Sequence, residues 1–131
     1  MNDPFSRPVF AKARRLCLDL PEVIEKTAWG HPTFRVADKV FCAFEMIKGR
    51  PTIAFRLPPD TCETLVSDGR AFATPYGRGY WASVWVDRTV NWRAMKTLVR
   101  AGYRSVAPKR LAGMLDGSET RDRSEELGVR R

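Results

Sequence analysis

The stretch from Thr27 to Phe44 constrains this chain most. It reads Thr-Ala-Trp-Gly-His-Pro-Thr-Phe-Arg-Val, then Ala-Asp-Lys, then Val-Phe-Cys-Ala-Phe. Two extended segments flank a three-residue polar turn, Ala37-Asp38-Lys39, which is the signature of a β-hairpin. Trp29-Gly30-His31-Pro32 opens the stretch, with Gly30 and Pro32 supplying a rigid corner. A chain with this centre is expected to build an antiparallel sheet around it.

The segments on either side extend the pattern. Val40 to Met46 alternates, with Val40, Cys42, Phe44 and Met46 on one face and Phe41, Ala43 and Glu45 on the other. Lys48-Gly49-Arg50-Pro51 reads as a basic turn, and Thr52 to Leu57 as the next strand, with Ile53, Phe55 and Leu57 on one side and Thr52, Ala54 and Arg56 on the other. Glu22 to Trp29 reads as an edge strand entering the hairpin, Ala71 to Thr74 as a short strand, and Trp81 to Val86 as a further one. Short alternating strands joined by tight turns belong to an antiparallel sheet with one face covered.

The cover is three helices. Phe10, Ala13, Leu16, Cys17 and Leu20 recur at helical spacing over Val9–Leu20, and Pro21 stops that helix. Lys12, Arg14 and Arg15 stand there against Asp19 alone. Pro58-Pro59-Asp60 starts a second helix, with Asp60 and Glu63 at the spacing of a capping box. Asn91 caps a third, to about Val106, whose apolar stripe is Trp92, Met95, Val99, Tyr103 and Val106. Arg93, Lys96, Arg100 and Arg104 form a second, basic stripe on its flank. Pro108 breaks that helix, and Lys109 to Leu115 reads as a last helical turn.

At 131 residues the chain is expected to be one α+β domain over 1–117, followed by a polar tail, 118–131, expected to be mobile. The net charge is +8, and the tail contributes none of it: its four arginines meet four acids, while residues 1–117 hold 19 basic and 11 acidic side chains. A folded unit with that surplus attracts polyanions or is merely kept soluble by it. No apolar run reaches the roughly 20 residues that span a bilayer, and the N-terminus lacks the apolar centre of a secretion signal. Cys17, Cys42 and Cys62 are odd in number with no CxxC spacing, which points to reduced buried thiols and a cytoplasmic setting rather than zinc or redox chemistry. No Walker loop, nucleophile elbow or HExxH motif is present.

Several short motifs together resemble the MmcQ/YjbR family. They are a first helix ending Leu20-Pro21, then Trp29-Gly30-His31-Pro32, Phe34-Arg35-Val36 and Lys39-Val40-Phe41. Pro75-Tyr76-Gly77, Gly79-Tyr80-Trp81, Asn91-Trp92 and the run Tyr103 to Lys109 complete the set. The resemblance spans about Phe10 to Leu111. It implies a CyaY-like (frataxin-like) α+β sandwich and a DNA-binding role through a double-wing arrangement of hairpins, with no catalytic residues and no cofactor. Iron binding does not carry over, since hard cations need clustered oxygen ligands that the first helix lacks.

The candidate contacts for DNA are therefore the basic turns and the helix flank: Arg35, Lys39, Lys48, Arg50, Arg78, Arg93, Lys96, Arg100 and Arg104. Tyr76, Tyr80 and Trp81, beside Arg78, are candidates for stacking on a base. The expected function is a non-enzymatic nucleic-acid-binding domain. The alternative is a small-molecule or protein-partner module whose cleft is lined by Trp29, His31, Tyr76 and Trp81. His31 is the single histidine and has no partners at the spacing of a triad or metal site, so an enzyme built on it ranks last.

Overall fold

The strands from Ile24 to Arg56 are joined by three two-residue turns: Trp29-Gly30, Ala37-Asp38 and Lys48-Gly49. In each turn both residues have positive φ, between 50° and 83°. That is the type I′ geometry, whose twist matches the flanking strands. The hairpin at 37–38 is thus one residue tighter than its sequence suggests, because Lys39 already pairs with Val36. Glycine relieves the second position at 30 and 49, while Trp29, Ala37, Asp38 and Lys48 adopt the left-handed conformation without it.

A computed structural model describes residues 3–115 of the chain. Its sheet comprises β1 (Ile24–Ala28), β2 (His31–Val36), β3 (Lys39–Ile47), β4 (Arg50–Arg56), β5 (Phe72–Ala73) and β6 (Trp81–Trp85). The spatial order is β1-β2-β3-β4-β6-β5, antiparallel throughout. A short 3-10 turn at Pro4–Ser6 precedes α1 (Pro8–Leu18); α2 (Pro59–Ser67) follows β4, α3 (Trp92–Val106) follows β6, and a helical segment, α4, covers 109–115. The architecture is α+β. The expected tail at 118–131 lies outside the described residues.

Register sorts the side chains into two faces. Phe34 stands opposite Cys42, Cys42 opposite Phe55, Phe44 opposite Ile53, and Phe55 opposite Ala82. All are buried, and this face carries the helices. Phe10 of α1 packs on Phe44 at 4.7 Å between ring centroids, and Arg14 of α1 reaches Glu25 on β1 at 2.9 Å. The other face carries Lys26, His31, Thr33, Arg35, Ala43, Glu45, Arg50, Thr52, Ala54, Arg56, Ser83, Trp81 and Trp85. At its centre Thr33, Thr52, Ala54 and Ser83 are buried.

Phe41 departs from the alternation expected of β3. Between Phe34 and Arg35 the pairing steps from Cys42 to Val40, leaving Phe41 as the extra residue of a β-bulge. The bulge turns its ring to the helix side, where it meets Tyr103 of α3 edge-on at 5.6 Å, fully buried. Gly102 lets α3 approach so closely: a Cβ there would lie 2.9 Å from the Phe41 carbonyl oxygen. The Tyr103 hydroxyl donates to the Pro21 carbonyl at 2.8 Å, tying α3 to the end of α1.

Two helix starts show how far local signals reach. Asn91 caps α3 as its sequence indicates, its side-chain oxygen accepting from the Ala94 N–H at 3.1 Å. The capping box expected of α2 does not form. Pro59 takes the first helical position, so Asp60 falls inside the helix and accepts from the Thr61 N–H instead.

Candidate nucleic-acid interface

The strands run antiparallel, so successive turns emerge at opposite ends of the sheet. The Trp29-Gly30 and Lys48-Gly49 turns share one end; the Ala37-Asp38 turn and the loop before Trp81 share the other, where Trp81 pairs with Arg56. The nine candidate cations divide accordingly. Arg35, Lys39 and Arg78 stand at the end where α3 finishes, while Lys48 and Arg50 stand at the end where it begins. The two hairpins that share β3 therefore point their turns in opposite directions.

Arg50 is committed locally. Its guanidinium lies 3.8 Å over the Trp85 ring, whose other neighbour is Phe72, stacked at 4.5 Å. It also donates two hydrogen bonds to Asp87, at 2.7 and 3.2 Å, and that contact holds the Asp87 carboxyl below its ordinary range. Arg35 donates to Thr33 Oγ1 at 3.3 Å. Arg56, which the sequence did not single out, covers the Tyr80 ring at 4.5 Å. That ring already carries a cation, and Trp81 is half-buried; of the proposed stacking residues, Tyr76 is the one fully exposed.

The aromatic cleft expected around Trp29, His31, Tyr76 and Trp81 is not assembled as one site. Trp29 and His31 lie at one end of the sheet and Tyr76 and Trp81 at the other. Trp29 is itself 93% exposed at a hairpin tip. His31 Nε2 is 3.7 Å from Glu45 Oε2, and burial pushes the Glu45 carboxyl up while the facing His31 opposes that shift. Among the described residues no three His, Cys, Asp or Glu gather as metal ligands. A cavity lies instead between α2 and α3.

The cations that come together are on the helix layer. α1 and α3 pack side by side, and Lys12 of α1 sits 4.7 Å over the Trp92 ring of α3. The two helices hold seven Lys and Arg side chains and no Asp or Glu. Arg14 turns away to Glu25. Lys12 sits at the seam with α3, Arg15 lies one turn further along the exposed side of α1, and Arg93, Lys96, Arg100 and Arg104 follow one flank of α3. Each of those four α3 cations has an interaction of its own, so phosphates there would exchange contacts rather than fill vacant positions. Sequence reasoning found the α3 stripe and missed Lys12 and Arg15. The available signal was the excess of three cations over Asp19 alone in Val9–Leu20, which became meaningful once α1 and α3 were seen as neighbours.

Comparison with known proteins agrees with this fold. The family model described as YjbR matches residues 18–105. The chain is similar in structure to the Deinococcus radiodurans protein DR2400, which carries the family-model domain DUF419. That likeness has a TM-score of 0.64 and 19% identity, covering 92% of this chain and 88% of that one. No curated protein matches.

Proposed function

This chain belongs to the YjbR family, a membership that accounts for its fold and names no activity, and on that premise we propose that it binds the phosphate backbone of DNA through the joined outer surface of α1 and α3. One observation carries the reading: α1 and α3 pack side by side, and their own residues include Lys12, Arg15, Arg93, Lys96, Arg100 and Arg104 but no Asp or Glu. Helix residues three and four apart lie roughly 5–6 Å from one another, close to the spacing of phosphates along a strand. Such a ridge recognises charge and shape rather than base identity. The reading is of a binding domain and not of an enzyme, with no cofactor. Three free buried thiols, Cys17, Cys42 and Cys62, suit a reducing cytoplasm.

The turn arginines have a subordinate place in this proposal. Arg35, Lys39 and Arg78 lie at the end of the sheet where α3 finishes, Arg35 on the face away from the helices, whereas Lys48 and Arg50 lie at the far end. Anisotropy titration of a labelled 20-base-pair duplex tests the reading. Log affinity is expected to fall against log salt with a slope of roughly −4 to −5 for five or so displaced counterions. Lys96→Glu with Arg100→Glu is expected to remove binding, and Lys48→Glu to leave it nearly intact. Absence of binding at low salt, or equal effects of both changes, overturns it.

A further inference from the structure

The core does not close between α2 and α3. A cavity of about 750 Å³ opens there, floored by Leu65 of α2, Val84 of β6, and Met95, Leu98 and Ala101 of α3. Its origin is geometric. Val84 points to the helix side, opposite Ile53, yet it stays half-buried where Ile53 is fully buried. α2 has only nine residues and anchors itself through Cys62 and Leu65, so it does not reach across to α3. The α3 positions that line the cavity, Ala94, Thr97, Leu98 and Ala101, lie on the side of that helix away from α1.

The rim is polar and its charge is uneven. Arg70 is paired with Asp68 at 2.8 Å, and Asp60 accepts from the Thr61 N–H. Arg88 is differently placed. Its nearest acid is Asp87, whose two oxygens both accept from Arg50, so the Arg88 contact stretches to 3.9 Å, beyond a hydrogen bond. Asn91 spends its oxygen on the Ala94 N–H, which leaves its amide N–H groups as donors at the same rim. An apolar trough with a guanidinium and an amide donor at its mouth matches one ligand chemistry: an aliphatic body ending in a single anionic oxygen group.

We propose that the α2–α3 groove binds an amphipathic carboxylate of fatty-acid type. Its chain lies along Leu65, Val84 and Leu98, and its head group meets Arg88. This site is independent of the phosphate ridge, which lies on the opposite flank of α3.

Calorimetric titration with dodecanoate, kept below its micelle concentration, tests the proposal. Saturable one-to-one binding is expected, at least about tenfold weaker in Arg88→Gln, as loss of a charge-assisted hydrogen bond requires. Ala94→Trp, at an exposed position that fills the trough without touching the core, is expected to abolish it. Thr97→Trp serves the same purpose should Ala94→Trp fail to fold. Dodecyltrimethylammonium, with the opposite head charge, is expected to bind no better to the native chain than to Arg88→Gln. Non-saturable uptake, equal binding of both amphiphiles, or indifference to the tryptophan overturns the proposal. A dimer in sedimentation that Ala94→Trp dissociates also overturns it, by assigning the trough to a second copy. Duplex affinity is expected to be unchanged in Ala94→Trp, so failure here and failure of the DNA reading are separable.

Discussion

Glu45 occupies an uncomfortable position for a carboxylate. Its Oε1 is buried and has no hydrogen-bond partner among the described residues, and its Oε2 has only the 3.7 Å contact to His31. Desolvation raises its pKa in the folded chain, with His31 partly opposing. The folded chain therefore holds that proton more tightly than the unfolded chain does. Between the unfolded value and the raised folded value, the stability this group contributes falls as pH increases, and it stays lost above that window. Glu45→Gln removes the charge and keeps the shape. It is expected to stabilise the protein at pH 7 and to do so less at pH 4, where the Glu45 carboxyl is largely protonated in the folded and unfolded chain alike. Urea unfolding at the two pH values checks this, and equal gains at both would show that burial of the charge is not the cause.

At the scale of elements, the first and third helices and the strands were legible because each obeys one period over many residues. Phe10, Ala13 and Cys17 mark the buried side of α1, and Met95, Val99 and Tyr103 that of α3. Three features were not legible. Nothing in Trp29, Ala37 or Lys48 announces a left-handed backbone, since their turns are imposed by the strands on either side. The bulge at Phe41 breaks alternation in response to α3, a partner sixty residues away in the chain. The seam between α1 and α3 pairs residues about eighty positions apart, so Lys12 and Arg15 gained their significance only from tertiary contact. The expected aromatic cleft failed for a related reason: residues close in the sequence of motifs were separated by strand direction. The approach of α3 to the bulge gives a sharp test. Gly102→Ala places a methyl group 2.9 Å from backbone, the Phe41 oxygen, which cannot rotate away. A loss of about 1–3 kcal/mol is expected in thermal or urea unfolding, as for other overpacked sites, and a neutral substitution would mean that helix and bulge separate easily.

The whole molecule is a sheet with two different sides and a helix, α3, that serves both of its flanks. One flank carries the basic stripe and packs beside α1, whose own residues, like those of α3, include no Asp or Glu; the other borders an apolar trough that α2 leaves open. The sheet face away from the helices keeps its small central residues buried beneath larger neighbours such as Trp85, with Arg50 lying over that ring. Polyanion recognition and fatty-acid capture would thus occupy separate surfaces of one rigid element, which is why the two proposals are tested with different substitutions.

The run of two-residue turns from β1 to β4 has a kinetic consequence. Each strand there docks on its immediate predecessor, so loop-closure entropy is small at every step. β6 must instead find β4 across an intervening helix, and α1 must find α3 across most of the polypeptide. Rapid assembly of the four-strand meander is expected first, with β6 and the terminal helices joining later. Pulsed hydrogen exchange during refolding would show it as amide protection at Phe44 and Ala54, whose N–H groups face β2 and β3, ahead of Ala82, and simultaneous protection would mean a single concerted step.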